Sequence, residues 1–160
     1  MPVIVRNYRK YKDWKMPIIT LGLKYNENWY PVDAYVDSGA IYSIFRQTVG
    51  ERMDIEIDKG KLIYSQVGDG GPIPVYLHEI EMQLGPRIFK ATIGFSEKLG
   101  IGFNILGRSD VFDKFIICFD DMKNYVTFTY FDTPNLINLK SKTPIISNAP
   151  NRVDTPGNPE

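Results

Sequence analysis

The sequence predicts an all-β protein, a small closed or folded-over antiparallel barrel with one or two short helices. Ten Tyr, nine Phe and many Ile and Val favour extended backbone. Apolar and polar residues alternate through several short runs, as a half-buried strand requires. Turn-forming residues separate those runs at short spacing, the pattern of many short strands folded into a barrel.

Met16–Lys24 is the first predicted strand and Trp29–Asp37 the second, with Asn26-Glu27-Asn28 turning the chain between them. In the second strand Val32, Ala34 and Val36 share one face, while Asp33, Tyr35 and Asp37 take the other. Ser43 can cap a helix over Ile44–Met53, in which Ile44, Phe45, Val49 and Met53 lie near one face; Gly50 weakens it. Leu62–Val67 and Val75–Leu84 read as two strands around a glycine-rich tip, Gly68-Asp69-Gly70-Gly71. Gly85-Pro86 then turns the chain into Ile88–Phe95. Phe103-Asn104-Ile105-Leu106 is an apolar strand stopped at Gly107-Arg108, and Ser109 or Asp110 opens a helical turn or two through Val111-Phe112. Phe115–Phe119 and Tyr125–Phe131, joined by Asp121–Asn124, complete the set.

The texture changes from Pro134. Ser141–Glu160 holds Pro144, Pro150, Pro156 and Pro159 and few large apolar residues beyond Ile145-Ile146. The predicted organisation is a domain over 1–133 and an extension over 134–160, disordered from about 148.

Lys+Arg and Asp+Glu both number 19, so the 160-residue chain is formally neutral. That balance argues against a nucleic-acid or anionic-membrane partner, which a surplus of cations would serve. The only basic run, Arg6, Arg9, Lys10, Lys12 and Lys15, reads as a solvated face. One cysteine, Cys118, allows no internal disulfide, and one histidine, His78, cannot build a Cys/His zinc site. Cys118 reads as a small buried hydrophobe and His78 as an exposed position of strand alternation. Trp14 and Trp29 are expected to pack or to line an interface. The N-terminus lacks a signal-peptide apolar core and no run approaches the ~20 apolar residues of a membrane span, so the expected location is cytoplasmic.

The sharpest chemical feature is Asp37-Ser38-Gly39-Ala40 at the end of an apolar strand. Gly39 tolerates the abrupt turn and Ser38 can hydrogen-bond nearby backbone, so the carboxylate sits on a rigid base. Val36, Ala40 and Ile41 would partly desolvate it, a common setting for acid–base work. Taken alone, Asp-Ser-Gly is also ordinary turn chemistry.

The order of the pieces is more specific. A strand ending in Asp-Ser-Gly-Ala, a helix, a glycine-tipped hairpin, then Asn104-Ile105-Leu106-Gly107-Arg108 and a short helix resembles the retropepsin-like aspartic proteases. The likeness spans roughly Met16 to Phe131. It implies a single-lobed, homodimeric acid-protease barrel with Asp37 as the catalytic aspartate and Ser38 as the hydroxyl bracing two active-site loops. Gly39 and Ala40 would line the substrate backbone. Gly68, Asp69, Gly70 and Gly71 would form a flap over a bound peptide, and Ile105, Leu106 and Gly107 a hydrophobic ledge under the active-site loop. No metal or other cofactor is implied.

Two departures from the family pattern stand out. Retroviral enzymes usually place a further Asp after Asp-Thr-Gly-Ala, paired with the Arg of the later motif. This chain has Ile41 there, so Arg108 lacks that partner and the associated subsite contact is put in doubt; Asp110 or Asp113 are alternatives. The added N- and C-terminal segments also leave the form of the dimer interface open. Only one Asp-Ser/Thr-Gly occurs, so the second carboxylate this chemistry needs must come from a second copy. The resemblance thus implies an aspartic endopeptidase acting on peptides or proteins. The competing expectation is a non-catalytic peptide-binding or scaffold domain of the same fold.

Overall fold

The computed structural model describes residues 1–67 and 70–131. Hairpins dominate, and each is set by its turn. β4 (Ile18–Tyr25) and β5 (Asn28–Val36) pair antiparallel from Ile18↔Tyr35 to Tyr25↔Asn28. Asn26 and Glu27 between them take φ of 47° and 63°, the left-handed pair that matches strand twist. β8 (Pro72–Leu84) and β9 (Arg87–Ser96) meet across Gly85-Pro86, where Gly85 has φ 57°. β7 (Lys61–Gln66) pairs with the first half of β8.

Two further short strands, β6 (Ser43–Arg46) and β10 (Asn104–Leu106), complete a seven-stranded sheet of order β4-β5-β10-β6-β9-β8-β7. β4 also pairs with β8 through Gly22↔Gln83, Leu23↔Met82 and Lys24↔Glu81. That pairing closes six strands into a barrel and leaves β7 as the outer strand among the described residues. The closed all-β barrel is the architecture predicted, but it is mixed and not wholly antiparallel, because β5–β10 and β6–β9 pair parallel. Ile19, Leu21, Leu23, Val32, Ala34 and Val36 point into it and are buried, each large side chain contributing about 1.5–3 kcal/mol.

β8 serves two cores. Val75 and Leu77 face a small cluster with Ile44, Leu99 and Ile105, whereas Ile80, Met82 and Leu84 face the main barrel core. The buried parity therefore switches between Leu77 and Ile80. His78 sits at that switch, half-buried, with Nε2 3.0 Å from the Ile57 carbonyl oxygen, and is not the exposed residue alternation predicts.

The N-terminus adds strands the sequence did not mark. β1 (Val3–Asn7), β11 (Ile116–Asp120) and β12 (Tyr125–Thr129) form a three-stranded sheet with β12 central. β2 (Arg9–Tyr11) and β3 (Trp14–Met16) form a two-stranded hairpin. Cys118 lies exposed on the outer face of the three-stranded sheet, not buried as expected. Trp14 is exposed, while Trp29 lies against Gly22 and beneath the Lys24 ammonium.

Both helical expectations change. Ser43 is a strand residue, and the one α-helix among the described residues, α1, spans Gln47–Arg52, with a single 3-10 turn at Ile57–Lys59. The Ser109–Lys114 segment forms turns only, because Asp110 adopts φ 62° and its carboxylate accepts the Thr92 backbone N–H at 2.8 Å. The described strands all lie within Met1–Tyr130, which packs as one unit. The extension from 134 and the tail from about 148 fall outside the described residues. Among the described residues no helix is long and apolar enough to cross a membrane.

Candidate active site

β10 is the keystone of the site. It runs parallel to β5 (Leu106↔Val36) and antiparallel to β6 (Ile105↔Ile44), so the loops leaving β5 and β10 emerge side by side. Asp37 follows β5 directly, and its N–H donates to the Leu106 carbonyl at 3.0 Å. Its Oδ1 accepts the Gly39 N–H at 2.8 Å and its carbonyl accepts from Ala40 at 3.4 Å, closing a tight Asx turn. Asp37 is half-buried, its main chain bonded on both sides and its carboxylate held by the Gly39 N–H.

The loop is braced from behind. Arg108 N–H donates to the Ala40 carbonyl at 2.9 Å and Ser109 N–H to the Ile41 carbonyl at 2.7 Å. Gly107 is buried, and its N–H donates to the Ser43 hydroxyl at 3.0 Å. A side chain at 107 would run into the Tyr42 carbonyl, so only glycine permits this approach. Ile105 and Leu106 are buried below, Ile105 in the cluster on which Ala40 rests.

Asp37, Gly39, Ala40 and Ile105 line a groove of about 520 Å³ whose other wall is Ile63 to Val67, from β7 and the residue after it. Ile63, Ser65 and Val67 turn inward while Tyr64 and Gln66 remain exposed. The outer strand and its hairpin therefore roof the groove over Asp37. At the hairpin end, Gly71 has no neighbour within 4 Å of where a side chain would begin, and Gly70 none nearer than the Val67 carbonyl at 3.7 Å. Gly68 and Asp69 lie outside the described residues.

The predicted residues thus fall into three positions. Asp37, Gly39, Ala40 and Ile105 share the groove, while Leu106 and Gly107 stand behind it as support. Gly70 and Gly71 stand at the hairpin end. Ser38 is exposed, with no hydrogen bond from its hydroxyl among the described residues. Arg108 lies outside the groove in an adjoining recess, and neither proposed carboxylate pairs with it. Asp110 is engaged by Thr92, and Asp113 pairs with Lys114 at 3.2 Å.

Sequence reasoning missed Ser43 as a brace, the β7 wall and Tyr35. Strand alternation alone puts Tyr35 on the face of Asp37. Its ring stacks on Phe103 with centroids 4.9 Å apart, and its phenol is pushed above the ordinary value, first by burial and then by the Asp37 charge. Among the described residues no three His, Cys, Asp or Glu side chains cluster as a metal site.

No family model and no curated protein sequence matches the chain. Among solved structures it is similar to the crystal structure of a retropepsin-like aspartic protease from Rickettsia conorii, with a TM-score of 0.59 at 15% identity. That match covers 79% of this chain and 98% of the other. The EIAV protease in complex with an inhibitor also matches, with a TM-score of 0.48 at 20% identity over 66% of this chain and 93% of that one. The Rickettsia similarity shows that the chain has the retropepsin-like fold.

Proposed function

We propose that this retropepsin-like chain is one half of an aspartic endopeptidase, completed when two copies bring their Asp37 side chains together. The observation that carries the reading is Asp37 itself, fixed by backbone bonds on both sides and lining a groove under a glycine-ended hairpin. A single chain supplies one carboxylate, and peptide hydrolysis of this kind needs two. A two-fold axis through the Asp37 loops provides the second, and the unengaged Ser38 hydroxyl is then available to brace the partner loop.

In such a pair the ionised carboxylate takes a proton from a water as its oxygen attacks the scissile carbonyl carbon. The protonated carboxyl donates to the carbonyl oxygen, and collapse of the tetrahedral species passes a proton to the departing amine nitrogen. Two carboxylates about 4 Å apart repel by about 4 kcal/mol at an effective dielectric near 20, so the pair holds one proton between them. The β7–β8 hairpin would close over an extended peptide and exclude water.

The test is cleavage of denatured casein or a peptide pool between about pH 4 and 6, near the carboxyl range, with and without a pepstatin-type inhibitor. The wild-type protein is expected to cleave, and Asp37→Asn to fold normally and lose all activity. Persistent cleavage by Asp37→Asn refutes the assignment. Peptide binding by the wild-type protein without cleavage makes it a peptide-binding scaffold of the same fold.

A further inference from the structure

The recess beside the groove has an arginine with nothing to hold. Two backbone bonds, Arg108 N–H to Ala40 and Ser109 N–H to Ile41, fix Arg108 against the loop that carries Asp37. Its side chain is exposed and lines a recess of about 640 Å³ with Ile41, Phe112 and the two aspartates. Ile41, itself 69% exposed, lines both this recess and the Asp37 groove, so the two adjoin at that residue.

Both aspartates of the recess are bonded to other groups, although the bond to Asp110 comes from a neutral N–H and leaves its charge in place. Asp110 turns its Oδ2 to the Thr92 N–H, and Asp113 pairs with the Lys114 ammonium. Among the described residues Arg108 has no carboxylate within salt-bridge distance and its guanidinium makes no hydrogen bond. A guanidinium offers five donors in a planar fork that matches a carboxylate in two parallel bonds. Beside the loop that carries Asp37, that fork is free among the described residues to take an anionic side chain.

We propose that Arg108 is a specificity-determining residue that selects peptides bearing Glu or Asp at one position flanking the residues over Asp37. This rests on the reading of the groove as a peptide site, and it adds the class of substrate.

The experiment uses two readouts on one peptide set, an apolar core peptide with Glu, Gln or Lys scanned through each flanking position. Binding to the Asp37→Asn protein is read by fluorescence anisotropy of labelled peptides, and cleavage by the wild-type protein is read by kcat/KM. At one position Glu is expected to exceed Gln by about fivefold, the range for a half-exposed charged hydrogen bond. Arg108→Gln removes the preference, Arg108→Lys keeps part of it, and Arg108→Glu turns it toward Lys. Thermal melts of the three variants check that they fold.

The preference in binding without any cleavage sinks the endopeptidase reading and leaves this inference standing. Cleavage with equal rates for Glu, Gln and Lys peptides does the reverse. A preference that survives Arg108→Glu overturns the inference, as does peptide that neither binds nor is cut. Variants that weaken self-association by sedimentation while leaving selectivity unchanged also overturn it, because Arg108 then serves the second copy.

Discussion

Gly107→Ala isolates the brace behind the Asp37 loop. The added methyl would lie far inside contact distance of the Tyr42 carbonyl and 3.0 Å from the Ile41 carbonyl oxygen. Both obstacles are backbone and cannot rotate aside, so the two loops must part. A parting of even ~0.5 Å takes the Gly107–Ser43 bond from 3.0 Å beyond useful range and strands a buried donor and hydroxyl. Overpacking costs about 1–3 kcal/mol and the stranded pair about 1–3 kcal/mol more, giving a loss of about 3 kcal/mol. For the unit Met1–Tyr130, unfolding entropy near 2.1 cal/mol/K per residue turns that into a fall in Tm of about 10 °C. Urea and thermal unfolding followed by circular dichroism measure it. Gly71→Ala is the control, since nothing lies within 4 Å of its new methyl, and it should stay within about 0.5 kcal/mol of the wild-type protein. A Gly107→Ala protein as stable as that control would refute the brace. At 25 °C, where the variant is still folded, its peptide cleavage should fall by about a hundredfold, the scale of a 1 Å misplacement.

Asp37→Asn should bring the Tyr35 titration partway down, seen in the ultraviolet as the difference from a Tyr35→Phe background. Burial is the larger cause of the raised value, so the shift stops short of the ordinary tyrosine value; no shift, or a full return, would contradict the arrangement. The sign carries to stability: a raised folded value means stability present below the unfolded value near 10 and lost as pH rises through the folded one. Removing the Asp37 charge therefore softens the alkaline loss. Because the paired carboxyls hold a proton that separate chains release, self-association should weaken as pH rises from 4 to 8, and a flat or rising sedimentation constant argues against the shared proton. Gly70→Val should leave Tm unchanged, since only the Val67 carbonyl is near at 3.7 Å, yet abolish cleavage by stiffening the hairpin end.

The barrel was legible wherever one face of a strand is wet. Val32, Ala34 and Val36 alternate with Asp33, Tyr35 and Asp37 because burial imposes that period. β4 follows the same rule from Ile19 to Leu23, whereas β8 shifts parity at His78 and β9 is buried on both faces from Ile93 to Ser96. β6 has no wet face: Ser43, Ile44 and Phe45 are all buried between β9 and β10, so its pattern looks like a capped helix start. The turn at Asp110 is set by Thr92 across the barrel, which no local window contains. Three-residue strands such as Arg9–Tyr11 are too short to show a period, and Cys118 sits in an apolar run whose members Ile116 and Phe119 are themselves half exposed. Asp37 could be found from four adjacent letters. The β7 wall could not, since it meets Asp37 only through the fold of the hairpin.

The contrast between the two sides of the groove follows from where hydrogen bonds are used. The floor consumes its polar backbone internally: Asp37, Gly107, Arg108 and Ser109 each donate an N–H to a partner within the floor. A carboxylate fixed this way needs no reorganisation when charge develops beside it. Among the described residues the roof is held by β8 along one edge only, through Lys61↔Leu77 to Gln66↔Pro72, and the other edge of β7 has no strand partner. The same free edge that lets the roof move also offers unpaired N–H and C=O groups to an extended chain lying in the groove. Ligand and roof would therefore order each other, which is why loss of movement at Gly70 should cost cleavage while costing the folded state nothing.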